Sequence, residues 1–132
     1  MASRSPKPRL LVVDDEEAIL LALRDYFTTL GFEVSCARDR FEAGEHLASG
    51  TFDGVIADLR LSGSGGLEGL EVVERARAGS PRTRTIIVTA YGSQEAEQEA
   101  RRRGVDALFH KPVRLPEIAR VVRRLIDEVS EV

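Results

Sequence analysis

The groups in this chain best suited to chemistry are three carboxylates, a hydroxyl and an amine, each placed at the end of a short apolar run. Asp14 and Asp15 follow Leu10-Leu11-Val12-Val13, and Asp58 follows Val55-Ile56-Ala57. Thr89 closes a β-branched run that starts at Thr85, and Lys111 follows Ala107-Leu108-Phe109-His110. Of 19 basic residues only Lys7 and Lys111 are lysine, and Lys7 belongs to the basic head, so Lys111 is the one ammonium among the apolar runs. Three carboxylates gathered in one pocket repel each other by about 4 kcal/mol per pair at about 4 Å and an effective dielectric of about 20. Such a site suits Mg²⁺ (or Mn²⁺), which takes a few carboxylates and keeps several waters. A bound cation would cancel repulsion between the acids and an incoming phosphoryl group, and a carboxylate could then attack phosphorus to give an aspartyl-phosphate. Lys111 offers a compact positive charge for a phosphoryl oxygen and Thr89 a hydroxyl donor. A single Asp after a strand most often caps a helix. The whole set, at the ends of successive core strands, points to a binding pocket.

The elements that must position these groups alternate regularly. Residues 10–13 form an apolar run of the kind buried on both faces of a parallel sheet. The acids of 14–17 suit the first turn of a helix, whose apolar face is Ile19, Leu23, Phe27 and Leu30, with Gly31 as its stop. Residues 32–37 read as a second strand, and Asp39 or Arg40 to about Ser49 as a short helix. A third strand over 52–58 leads into a glycine-rich loop, Ser62-Gly63-Ser64-Gly65-Gly66. The next helix carries Leu67 or Leu70, Val72, Val73 and Ala76 on its face and breaks at Ser80-Pro81. A fourth strand spans 85–89. The helix at about 93–103 has Glu95, Glu97 and Glu99 early and Arg101, Arg102 and Arg103 late, an order matched to the helix dipole and typical of a solvated face. Gly104 ends it. Residues 107–110 make a fifth strand, and Ile118, Val121, Val122, Leu125, Ile126 and Val129 mark the last amphipathic helix. Five strand–helix units with short links give a parallel sheet covered by helices on both faces. Ligands bind such sheets outside the carboxyl ends of the strands, where all five chemical groups stand.

Bulk properties narrow the alternatives. A length of 132 residues fits one domain. A net charge of −3 gives no support to direct nucleic-acid binding. No apolar run approaches the length of a membrane span. The single cysteine, Cys36, is expected to be a small buried hydrophobe and favours a cytoplasmic setting. Residues 1–8 read as a basic, disordered tail, leaving 9–130 as the domain.

Taken together, Leu11-Val12-Val13-Asp14-Asp15, Ala57-Asp58-Leu59-Arg60-Leu61, Val88-Thr89-Ala90 and Gly104-Val105-Asp106-Ala107-Leu108-Phe109-His110-Lys111-Pro112 resemble the receiver domain of two-component response regulators. The resemblance implies a doubly wound, flavodoxin-like fold with strand order 2-1-3-4-5. It implies a switch controlled by phosphorylation, with Asp58 as acceptor and a histidine kinase or histidine phosphotransfer protein as donor. Asp15 and Asp58 would hold Mg²⁺ through side chains, Asp14 through water and Arg60 through its backbone carbonyl. Thr89 and Lys111 would take phosphoryl oxygens, Ala90 would leave room beside them, and the Lys111–Pro112 bond would be cis. The face of the fourth helix, fifth strand and fifth helix would meet an output protein or a missing C-terminal domain, or a second copy in a phosphorylation-dependent homodimer.

Three places depart from the family pattern. Ser62 stands where proline is frequent, and the loop is about three residues longer, because either Gly66-Leu67-Glu68 or Gly69-Leu70-Glu71 matches the family's Gly-Leu-Glu. Leu108 replaces the switch aromatic. Tyr91 is a bulky residue where a small or polar one is common, and it would shield the phosphoryl group from water. His46 reads as a surface residue and His110 as a packing or surface residue, neither as a phosphodonor. Two other functions fit parts of the pattern. One is a receiver-like binding module that is not phosphorylated. The other is a Mg²⁺-dependent phosphohydrolase, which needs a second acid two residues after its nucleophile; Arg60 occupies that place after Asp58, and Glu16 after Asp14 stands outside the strand, so the pattern disfavours it.

Overall fold

The structure, a computed structural model, describes residues 7–61, 66–90 and 93–130. Its elements alternate as β1 (Arg9–Val13), α1 (Glu17–Thr29), β2 (Glu33–Ala37), α2 (Arg40–Ser49), β3 (Gly54–Ala57), α3 (Glu68–Gly79), β4 (Arg84–Thr89), α4 (Gln94–Arg102), β5 (Ala107–His110) and α5 (Leu115–Ser130). The strands form one parallel sheet in the order β2-β1-β3-β4-β5, the order that the resemblance implied. The expected tail falls largely on residues 1–6, outside the described residues, and so does most of the glycine-rich loop, 62–65.

Strand periodicity divides the core in two. Leu10, Val12, Ile56, Ile86 and Val88 face one side, where Leu20, Leu23 and Phe27 of α1 and Ile118, Val122 and Leu125 of α5 cover them. Leu11, Val13, Val55, Ala57 and Ile87 face the other, covered by Ala43 of α2, Leu70, Val73 and Ala76 of α3 and Ala96 and Ala100 of α4. Nearly continuous apolar runs follow from burial on both faces. Two details of the expected α1 and β2 packing are corrected. Leu30 is exposed at the helix end and Leu20 is buried in its stead, because the apolar stripe stops at Phe27, one turn before the chain leaves the helix. Cys36 is only half-buried, since β2 is an edge strand.

The ends of α1 and α4 share one device. Gly31 and Gly104 adopt positive φ (98° and 81°), and the next amides reach back to carbonyls of the last turn: Phe32 N–H to Phe27 at 3.0 Å, Val105 N–H to Ala100 at 3.1 Å. After α1 the return is clamped by Phe27 and Phe32, edge to face with centroids 5.2 Å apart. Asp39 and Ser93 cap α2 and α4 by accepting from the Glu42 and Ala96 amides. No described helix is long and apolar enough to cross a membrane.

Candidate functional site

Strand register brings the acids together. Val13 lies opposite Ala57 in the β1–β3 pair, so the residues that follow, Asp14 and Asp58, leave adjacent strands side by side. Their main chains are fixed by bonds that extend the sheet: Asp58 N–H to Val13 carbonyl at 2.9 Å and Asp14 N–H to Ala37 carbonyl at 3.1 Å. Both carboxylates are buried, with Asp14 only 3% and Asp58 6% exposed, while Asp15 stands at the exposed mouth. Oxygens of Asp14, Asp15 and Asp58 all lie within 4.8 Å of one another. That donor set of clustered carboxylates, two buried and one open to water, fits a hard divalent cation.

Lys111 enters from the fourth strand side. Its N–H donates to the Thr89 carbonyl at 2.8 Å, which carries the chain past the end of β4. From there the ammonium donates to Asp14 Oδ2 at 2.9 Å and Asp58 Oδ2 at 3.1 Å, with Glu16 Oε1 at 3.6 Å. The Lys111–Pro112 peptide is cis. Thr89 is fully buried at the end of β4, and Ala90 follows it, exposed.

Each buried carboxylate has a local second partner. Asp14 Oδ1 accepts from the Glu16 N–H at 2.9 Å, at the N-terminus of α1, and Asp58 Oδ1 accepts from the Arg60 N–H at 3.3 Å. Burial raises the Asp58 carboxyl above the usual range against the opposing pull of Lys111. Asp15 is also raised, by burial first and then by the charge of Asp14. Burial depresses Lys111, but its bonds to Asp14 and Asp58 outweigh that, and the ammonium is held above its ordinary value. The pocket thus keeps one firm positive charge among its acids.

Two contributors escaped the sequence reading. Glu16 adds a fourth carboxylate near Lys111; its place directly after the acid pair was the available signal. Gly69 packs against the Asp58 main chain, donating to the Leu59 carbonyl at 3.0 Å, and a methyl group there would overlap the Asp58 carbonyl. Of the two Gly-Leu-Glu segments, Gly69-Leu70-Glu71 is the one seated in the first turn of α3, with Leu70 fully buried. Leu108 is half-buried against the core on the α3 side. Tyr91 and Ser62 lie outside the described residues.

The family described as the response regulator receiver domain matches residues 10–123. The chain belongs to it. Among curated relatives, this receiver is similar to Sporulation initiation phosphotransferase F of Bacillus subtilis (strain 168), 28% identical over 118 residues, covering 89% of this chain and 93% of that protein. It is also similar to Regulatory protein AtoC of Escherichia coli (strain K12), 32% identical over 119 residues and 90% of this chain, but only 25% of AtoC. Among solved structures, the response regulator receiver domain protein (CheY-like) from Methanospirillum hungatei JF-1 superimposes with a TM-score of 0.87 at 29% identity, covering 95% of this receiver and 98% of that chain. Fold and family membership therefore agree.

Two substitutions probe the charge balance of the receiver pocket. Lys111→Met strands two buried carboxylates and should lower metal-free stability by about 1–3 kcal/mol in urea unfolding, with Mg²⁺ restoring most of the loss. Asp15→Asn should raise it by up to about 1 kcal/mol, a modest figure because Asp15 is exposed. The folded Asp15 carboxyl titrates above its unfolded value, so its penalty is absent below the unfolded value and complete above the folded one. The gain of Asp15→Asn over wild type should therefore open as pH rises through the carboxylate range; a gain independent of pH would count against the electrostatic origin.

Proposed function

We propose that residues 9–130 act as a phosphorylation-controlled switch in which Asp58 accepts a phosphoryl group from a histidine kinase or histidine phosphotransfer protein. The observation that carries this reading is the Lys111 ammonium shared by two buried carboxylates, Asp14 and Asp58, beside a third acid. A structural role needs no such cluster, since buried charges are costly to assemble.

An Asp58 carboxylate oxygen attacks phosphorus, the bond from phosphorus to the donor's imidazole nitrogen breaks, and the imidazole leaves with its electron pair. Asp14, Asp15, Asp58 and the Arg60 backbone carbonyl would hold Mg²⁺, which supplies charge neutralisation for the equatorial phosphoryl oxygens. Lys111 exchanges the Asp58 oxygen for a phosphoryl oxygen, and its firmly protonated state suits that task. Thr89 offers its hydroxyl to another oxygen, and the small Ala90 leaves the approach open. Gly69 holds the main chain of the acceptor in place from behind. The protein then catalyses only its own phosphorylation and dephosphorylation.

The donor must dock where it can reach Asp58. An apolar groove of about 500 Å³ between α1 and the β5–α5 connection opens beside the site, with Ala18, Ile19 and Ala22 on one wall, Pro112 and Val113 on the other and Lys111 also in its lining. A helical phosphotransfer partner would lay an apolar face there. The signal leaves through the face of α4, β5 and α5.

Acetyl phosphate with Mg²⁺ should add one phosphoryl group by intact mass, lost on Asp58→Asn and in EDTA. Equal labelling of Asp58→Asn would refute the acceptor assignment.

A further inference from the structure

The helix α4 is joined to the rest of the fold by a small apolar footing and by polar contacts. Among the described residues it buries only Ala96 and Ala100, so little apolar contact fixes its position. A surface cavity of about 360 Å³ lies between it and β5, lined by Glu97, Ala100 and Arg101 of α4 and by Leu108 and His110 of β5. Polar contacts hold the helix at both ends. At its C-terminal end, Arg103 pairs with Glu74 of α3 at 2.9 Å, and the Arg77 guanidinium donates to the carbonyls of Arg103 and Gly104. On the β5 side, the His110 ring lies 2.7 Å from Glu97 Oε1. A carboxylate only accepts, so the His110 Nε2–H is the donor.

His110 is also bound to the site. It pairs with Thr89 across the β4–β5 register, and it directly precedes Lys111, whose ammonium holds Asp14 and Asp58. Leu108, on the same side of β5, has no polar group with which to reach α4. We propose that the Glu97–His110 pair is the positioning contact that couples occupancy of Asp58 to the placement of α4. This inference rests on Asp58 being the phosphoacceptor. With Asp58 free, Lys111 stays on the carboxylates, the end of β5 is fixed, and His110 holds α4 across the cavity. When Lys111 moves to phosphoryl oxygens, the β5 end follows, His110 leaves Glu97, and α4 shifts on its small apolar footing.

Hydrogen exchange of residues 94–103 and beryllofluoride binding in Mg²⁺, a phosphoryl mimic at Asp58, test this together. Glu97→Ala should speed α4 exchange in the free protein by about fivefold or more, toward the rate of beryllofluoride-bound wild type, and by reciprocity tighten beryllofluoride binding by a similar factor. Glu97→Gln keeps an acceptor for His110 and should stay near wild type in both. If Glu97→Ala speeds exchange but leaves beryllofluoride affinity unchanged, or changes neither, the pair is only structural and the proposal is overturned. Wild type that binds no beryllofluoride would instead refute the phosphoacceptor reading, a separate result.

Discussion

Two carboxylates leave adjacent strands and turn into the protein, and one ammonium group stands between them. Either acid without Lys111 would carry a buried charge with incomplete compensation, and Lys111 without the acids would be a half-buried cation. The arrangement still leaves an excess of negative charge, because Asp15 and Glu16 lie close by. That residual charge suits a divalent cation, and on the proposed function the mobility of a lysine stem would let the ammonium change partners on arrival of a phosphoryl group.

Much of the surrounding structure serves this contact. Parallel pairing sets Val13 against Ala57, and the sheet-extending amides of Asp14 and Asp58 hold the two acids in register. The backbone bond from Lys111 to Thr89 brings the amine over the same edge. Gly69 lets α3 approach the Asp58 main chain more closely than any larger residue could. On the opposite side of the site, α1 begins at the amide that Asp14 accepts. The apolar cores below are built largely from Leu, Ile, Val, Ala and Phe, whereas α4 rests on two alanines and a few ionic contacts. Well-packed support under the acids and a helix with a small apolar footing beside them is the division that the proposed switch would require.

The sheet and its acids were legible in the sequence because strand ends are marked by simple transitions, from Val13 to Asp14 and from Ala57 to Asp58. Lys111 was conspicuous in a chain that otherwise uses arginine. The strand order came from family resemblance, since periodicity alone cannot rank strands in space. Other features depend on tertiary approach. Gly66 and Gly69 are equivalent by pattern, and only contact with the Asp58 carbonyl distinguishes them. Glu97 read as part of a solvated acidic turn and His110 as a packing or surface residue; their pairing requires knowing that α4 lies beside the end of β5. Leu20 and Leu30 exchanged roles because helical spacing gives the direction of a face but not where the core beneath it ends.

The central claim, that Lys111 is shared by Asp14 and Asp58 and changes partners when Asp58 is occupied, is open to one direct measurement. The chain has two lysines, so protein labelled with isotopic lysine gives an NMR spectrum in which exposed Lys7 serves as an internal reference for Lys111. In metal-free protein the Lys111 side-chain signals should stand apart from those of Lys7. Adding Mg²⁺ and beryllofluoride should move them while Lys7 stays in place. Lysine signals that coincide, or a Lys111 signal unmoved by saturating beryllofluoride, would contradict the account.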